Sequence, residues 1–143
     1  MSDVFVDKFK ALVQLYLDEP WQEADGIAAD ELDAILVEQQ VSIPLAMRDF
    51  FLALANCEEL MEAYYYFWDP EELEIEDGYL LFLEDADEAY TWGLRADQLD
   101  VPDPIVWRRN NAKGNWICEE GTFSEFVLDM LDWVFTEEDE DKD

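Results

Sequence analysis

The sequence contains no histidine, and only eight of its 143 residues are lysine or arginine. The lack of histidine excludes Ser–His and Cys–His nucleophiles, histidine acid–base catalysis and most zinc sites. The glycine-rich motifs that bind nucleotide phosphates are also absent. We therefore expect a protein that is not an enzyme and that uses no cofactor and no metal.

Cysteine is scarce, and long apolar runs are missing. Cys57 and Cys118 lie far apart and form no CxxC motif. The first ten residues have the pattern of neither a signal peptide nor a transit peptide. No apolar run approaches the roughly 20 residues that span a bilayer. These features predict a cytoplasmic protein with two reduced, buried thiols.

Negative charge is what the chain has in excess. It carries 38 aspartates and glutamates, for a formal net charge of −30. Such an excess can serve solubility or a high-salt habitat, and it can also attract a basic partner, because opposite fields raise the encounter rate. Binding to nucleic acid or to anionic membranes is not expected, since both need clustered lysine and arginine.

The order of the elements predicts an α+β fold. Apolar residues recur at helical spacing near residues 5–17, 32–36 and 45–54, and again after Thr122 and Glu125, which stand at capping-box spacing. Between them, residues 79–83 with 89–94, and 105–109 with 115–119, read as antiparallel hairpins. The prediction is one domain over residues 1–135, with N-terminal helices, a central antiparallel sheet and a closing helix. Residues 136–143 are predicted to be an acidic flexible tail.

An aromatic run at residues 64–68 predicts a strand. Alternation along it would place Tyr64, Tyr66 and Trp68 on one face and Tyr65 and Phe67 on the other. One face belongs in the core, and an exposed Tyr/Trp row beside acidic residues is typical of a partner-binding cluster. The sequence does not determine which face is exposed. Arg108-Arg109, the only basic pair, is expected to pair with local carboxylates at a strand end.

The carboxylates also suggest a glycosidase site and a calcium site, each from one short pattern. Glu119-Glu120, or Asp85 with Asp87, has the residue types of a glycosidase pair. Asp85 to Glu88 starts like a calcium loop, but no glycine stands at the sixth position, so the EF-hand pattern fails. In a chain this acidic, such pairs more commonly belong to a solvated surface.

Several stretches together resemble the SUKH superfamily of bacterial immunity proteins, which also includes a fungal cell-wall-synthesis regulator. They are VSIPL at 41–45 leading into FFL at 50–52, GYLLF at 78–82, PIVW at 104–107 with Trp116, and TFSEFV at 122–127. The resemblance covers residues 30–135. It implies an α+β domain without catalytic residues, which binds and blocks a toxic effector, often a nuclease.

The residues and the resemblance together predict a binding protein that occupies the positive cleft of a basic toxin as a substrate mimic. The predicted contact residues are two acidic clusters and the aromatic row: Glu84, Asp85, Asp87, Glu88; Asp69, Glu71, Glu72, Glu74; and Tyr64, Tyr66, Trp68. A regulatory adaptor that docks a basic cellular protein, and an unrecognised hydrolase, are the alternatives. A monomer is expected, although the sequence does not determine the oligomeric state.

Overall fold

The computed structural model of the chain describes residues 4–62, 66–85 and 87–141, with backbone only for Val4 and residues 136–141. Within the described residues, four α-helices precede the sheet and one follows it. They are α1 (Val4–Leu17), α2 (Ala29–Gln39), α3 (Leu45–Leu54), α4 (Glu58–Met61) and α5 (Phe123–Asp141). No helix within these described residues is long and apolar enough to cross a membrane.

In the described part of the chain, six antiparallel strands form one sheet. They are β1 (Tyr66–Phe67), β2 (Glu74–Glu76), β3 (Tyr79–Glu84), β4 (Tyr90–Arg95), β5 (Ile105–Asn110) and β6 (Trp116–Thr122). The strand order is β1-β3-β4-β5-β6, and β2 pairs with the same edge of β3 as β1 does, at its other end. Strands grouped between helices, and paired antiparallel, confirm the predicted α+β class.

The core lies between one face of the sheet and the helices. Phe9 of α1, Phe50 of α3 and Phe123 of α5 meet there, with ring centroids 5.4 Å apart for Phe9–Phe50 and 5.6 Å for Phe50–Phe123. Phe82 of β3 contacts the ring of Phe123 at 5.1 Å. Edge-to-face packing of this kind lets large rings fill a core without voids.

The start of α5 forms as its sequence predicts. The Thr122 N–H donates to Glu125 Oε1 (3.0 Å) and the Glu125 N–H donates to Thr122 Oγ1 (3.4 Å), which is the reciprocal capping box. Ser124 adds two bonds to the Asp103 carboxylate, from its backbone N–H (2.8 Å) and its hydroxyl (2.6 Å). The helix is therefore fixed to the loop that leads into β5.

Two predicted segments extend differently in the structure. Within the described part of the aromatic run the strand is Tyr66–Phe67, and Pro70 begins a 3₁₀ turn (Pro70–Glu72) after it. Residues 64 and 65 of the run lie outside the described residues. At the other end, α5 continues to Asp141, into the segment predicted to be a flexible tail. Glutamate is a good helix former, so the local propensity of this segment permits the extension despite its charge.

The second face of the sheet is partly covered by its own side chains. Tyr79 stacks on Trp116 with centroids 3.7 Å apart and contacts Trp107 at 6.1 Å. These rings lie over β4 at Gly93. A Cβ atom at that position would lie 3.1 Å from Tyr79 Cβ. This cover leaves Leu81, which lies opposite Gly93, only 2% exposed.

Both cysteines are free thiols, as expected, but only Cys57 is buried. Cys118 lies on β6 and is half-buried.

Candidate partner-binding surface

The fold brings the two predicted acidic clusters together. Strand β1 pairs with the end of β3, so that Tyr66 lies opposite Glu84. The segment that follows β1 and the turn that follows β3 therefore start from neighbouring positions. We call the resulting set of carboxylates the acidic edge: Glu58, Glu62, Asp69, Glu71, Glu72, Glu84, Asp85 and Glu88.

Glu72 is held in place by two donors. The Tyr66 hydroxyl and the Asp69 backbone N–H each donate to Glu72 Oε1 at 2.9 Å. The 3₁₀ turn between them also places Asp69 and Glu72 close together. This side of the acidic edge is a fixed turn, because each of its polar contacts satisfies a backbone or hydroxyl donor.

The turn between β3 and β4 is held by Asp85. Its Oδ1 accepts the backbone N–H of Ala89 (2.7 Å) and of Tyr90 (3.3 Å). Glu88 takes a left-handed conformation (φ 58°), and its carbonyl accepts the Asn111 side-chain amide at 2.8 Å. Asp85 thus shapes the turn, whereas the exposed side chains of Asp87 and Glu88 point to solvent.

Like charges act on one another across the acidic edge. Burial, and then the carboxylates of Glu88, Asp85 and Glu72, raise the pKa of Glu84. Glu72 belongs to the other predicted cluster, so this effect crosses from one cluster to the other. Repulsion that raises a carboxyl pKa also lowers the stability of the charged folded protein.

The carboxylates of the acidic edge also contribute to the raised pKa values of Asp69 and Tyr66. Burial, and then four carboxylates, raise the pKa of Asp69; two of these belong to Glu58, which begins α4, and Glu62, which directly follows it. The hydrogen bond to Glu72, followed by burial and nearby carboxylates, raises the pKa of Tyr66 to about 12. The sequence analysis missed Glu58 and Glu62, which stand at the two ends of this short helix.

The remaining predicted contact residues are distributed differently. Glu74 is exposed on β2 opposite Leu81, at the other end of the β3 edge. Trp68 is half-buried and packs against the core, and Tyr66 is half-buried with its hydroxyl on Glu72, so neither belongs to an exposed row. Tyr64 lies outside the described residues.

Arg109 forms a contrasting, neutralised site on the second face. Its guanidinium donates to the carboxylates of Glu76 and Asp77, the latter at 3.1 Å, and lies 5.5 Å from the Trp116 ring. The Arg109 side chain is only 14% exposed. This confirms the expectation that the basic pair anchors local carboxylates, for Arg109 in particular.

Arg108, the other member of the pair, lines an open groove of about 410 Å³ that the sequence analysis did not anticipate. The groove lies between α5 and the strands β4, β5 and β6, and its apolar lining comes from Trp92, Phe126, Met130 and Trp133. The only sequence signal for the groove was the residue spacing, which places Trp92 on one face of its strand and Phe126, Met130 and Trp133 on one face of α5.

The acidic edge does not gather its carboxylates closely enough to form a metal site. Within the described ranges, no group of three or more Cys, Asp or Glu side chains is arranged to hold one ion. What the edge presents to a partner is a set of separate, mutually repelling negative charges on two ordered turns.

Family models, curated proteins and solved structures were all compared with the chain, and none of them matches it. The resemblance to the SUKH superfamily therefore stays a prediction.

Proposed function

We propose that this chain is a non-catalytic binding protein that captures a basic protein through the acidic edge. The observation that carries the proposal is the gathering of these carboxylates at one end of the β1–β3 pair, where burial first and then their mutual repulsion raise the pKa of Glu84 and of Asp69. A cationic partner relieves this repulsion on binding. The complex thus recovers free energy that the isolated domain lacks.

The partner that we infer is a toxic effector such as a nuclease, and the protein neutralises it in the cytoplasm as an immunity protein. A nuclease cleft is positive because it holds phosphates. Carboxylates on two ordered turns, such as Glu72 and Glu88, can occupy such a cleft in place of phosphates. The net charge of −30 supports this proposal, since it steers a basic partner toward the protein over long distances.

The first experiment is affinity capture from the native cell with three forms of the protein. The edge variant carries Glu72→Gln, Glu84→Gln and Glu88→Gln. The control variant carries Glu23→Gln, Glu31→Gln and Glu38→Gln, at exposed positions on or before α2. Each variant loses three of the 30 net negative charges, so a difference between them reports position rather than total charge.

The expected result is one basic protein that the wild type and the control variant retain and the edge variant loses. The captured protein is then assayed for toxic activity with increasing amounts of the wild type, and inhibition should be complete at equal stoichiometry. A retained basic protein without toxic activity would support the adaptor function. Equal loss in both variants would contradict a role for the acidic edge.

A further inference from the structure

The groove between α5 and the sheet has an apolar floor that reaches solvent. Phe126 and Met130 of α5 face Trp92 of β4 across it, with the Trp92 and Phe126 rings 6.1 Å apart. Trp133, one turn further along α5, lines the groove and is 47% exposed. Ile117 pairs with Arg108 on the same face of the sheet and is 45% exposed. Large apolar side chains in such a position favour protein binding.

Arg108 places a polar group inside this apolar groove. Its guanidinium lies 4.8 Å from the Tyr90 ring, and its Nε is buried with no hydrogen-bond partner in the described part of the chain. A buried donor without an acceptor costs free energy, which a small shift of the Arg108 side chain toward a carbonyl group of an occupant recovers. The groove therefore offers an apolar surface and, beside it, a guanidinium with an unused donor.

The rim of the groove is acidic. Glu120 and Asp129 are exposed on opposite sides of the groove, on β6 and α5. Glu119 also lines it, but one oxygen of its carboxylate accepts the Trp92 Nε1–H at 2.6 Å. A lysine or arginine that flanks an apolar residue can reach Glu120 or Asp129 while the apolar residue enters the groove.

The groove is continuous with the acidic edge through one residue. Tyr90 begins β4 directly after the acidic turn, and its backbone N–H is held by Asp85. The ring of the same residue lies against Arg108, at the floor of the groove. The acidic turn and the groove therefore meet at Tyr90, so one partner can contact both.

We propose that the groove receives an apolar side chain of the basic partner, flanked by lysine or arginine, with its backbone carbonyl on Arg108 Nε. This inference rests on the proposed function and adds a second contact to it. The acidic edge accelerates the encounter, and the groove slows dissociation by burying an aromatic or aliphatic anchor.

Three synthetic pentapeptides test this proposal. The first has a phenylalanine between two pairs of lysines, the second has glycine in place of that phenylalanine, and the third has the phenylalanine between pairs of glycines. Their affinities are measured by NMR titration at low salt, with the indole N–H signals of Trp92 and Trp133 and the Nε–H signal of Arg108 as reporters. The edge variant is titrated beside the wild type.

The expected result is that the lysine–phenylalanine peptide binds about tenfold more tightly than the lysine–glycine peptide, as for one buried aromatic anchor. Trp133→Ala should remove this ratio, because it opens the wall of the groove at an exposed position. Arg108→Lys, which keeps the charge but lacks Nε, should reduce the ratio. Leu15→Ala, at an exposed position on α1, should leave the ratio unchanged.

Four results would overturn the groove proposal, and they separate its failure from failure of the proposed function. If both lysine peptides bind equally and only the edge variant weakens their binding, the groove proposal is wrong and the role of the acidic edge stands. Tight binding of the uncharged peptide makes the groove a site for a neutral ligand. Self-association that Trp133→Ala abolishes makes the occupant a second copy of the chain. Binding of neither lysine peptide contradicts the proposed function as well.

Discussion

The two ends of strand β3 carry similar pairs of acidic residues in opposite electrostatic settings. Before β3, Glu76 and Asp77 both pair with Arg109, whose side chain is largely buried under Trp116. After β3, Glu84 and Asp85 face other carboxylates, and the pKa of Glu84 is raised. The first pair stabilises the fold through Arg109, whereas in the second pair Asp85 holds the turn and the charge of Glu84 opposes folding. We infer two roles for acidic residues in this protein. One is pairing with arginine, which stabilises the isolated domain, and the other is binding of a partner.

The largest expected effect comes from breaking the paired end. Arg109→Gln removes both ion pairs and the cation over Trp116, and we expect a loss of about 2 kcal/mol, discounted because both carboxylates are half exposed. Urea unfolding at fixed salt measures it. Arg95→Gln, which removes one exposed pair with Asp97, is the matched control and should lose less than about 0.5 kcal/mol. An equal loss of unfolding free energy in both variants would contradict a specific stabilising role for the Arg109 ion pairs.

Neutralising the unpaired end should have the opposite sign. The edge variant relieves repulsion among Glu72, Glu84 and Glu88, and we expect its free energy of unfolding to rise by about 0.5 kcal/mol at pH 7 and low salt. The control variant on α2 should gain less. Added salt screens the same repulsion, so the difference between the variants should shrink as salt is raised. A less stable edge variant would contradict the account.

The pH dependence of stability sharpens the comparison further. Because the folded pKa of Glu84 lies above its ordinary value of 4.5, the folded state binds this proton more tightly than the unfolded chain does. The stability that protonation of Glu84 contributes therefore increases as the pH falls through the folded pKa, and the increase is complete below pH 4.5. Glu125 behaves oppositely: the Thr122 backbone and side-chain hydrogen bonds lower its pKa, so its contribution is lost at still lower pH.

We accordingly expect the thermal midpoint of the wild type to rise as the pH falls from 7 toward 4.5 and to fall at lower pH. In Glu84→Gln the rise should be smaller. A midpoint that falls steadily from pH 7 in both proteins would mean that repulsion at the acidic edge does not affect stability.

The smallest expected effect is spectroscopic. The pKa of Tyr66 is raised to about 12, chiefly by its hydrogen bond to Glu72. Ultraviolet titration should therefore detect a tyrosine that ionises later than the others, and Tyr66→Phe should remove it. Glu72→Gln should shift this step toward the ordinary value of 10.0. If the late step persists in Tyr66→Phe, another tyrosine is responsible.

Local patterns were sufficient to predict most of the fold. The spacing of Thr122 and Glu125 predicted a helix start that the structure confirms. A short apolar run and the residues of the turns predicted the β3–β4 and β5–β6 hairpins. The aromatic run was harder to interpret, because strand propensity does not say where pairing stops. Here Pro70, with its 3₁₀ turn, ends the strand after Phe67.

The sites depended on information that a single sequence does not hold. Both acidic clusters were visible as charge runs, but their proximity follows from the pairing of Tyr66 with Glu84, which is a contact distant in sequence. The groove was not predicted, because the strand and helix patterns assign each residue a face but not the distance between the two elements. Its walls, Trp92 and Trp133, come from a strand and a helix whose separation is set by the packing of Phe123 and Phe126 against Phe82.

The most direct test of the central claim is the association rate of the captured basic partner with the wild type, the edge variant and the control variant, measured by stopped flow at two salt concentrations. We predict that the edge variant associates about tenfold more slowly at low salt, and that the control variant stays within about twofold of the wild type. High salt should bring all three rates together. Equal slowing of both variants would contradict the account, because it would mean that total charge, and not the acidic edge, attracts the partner.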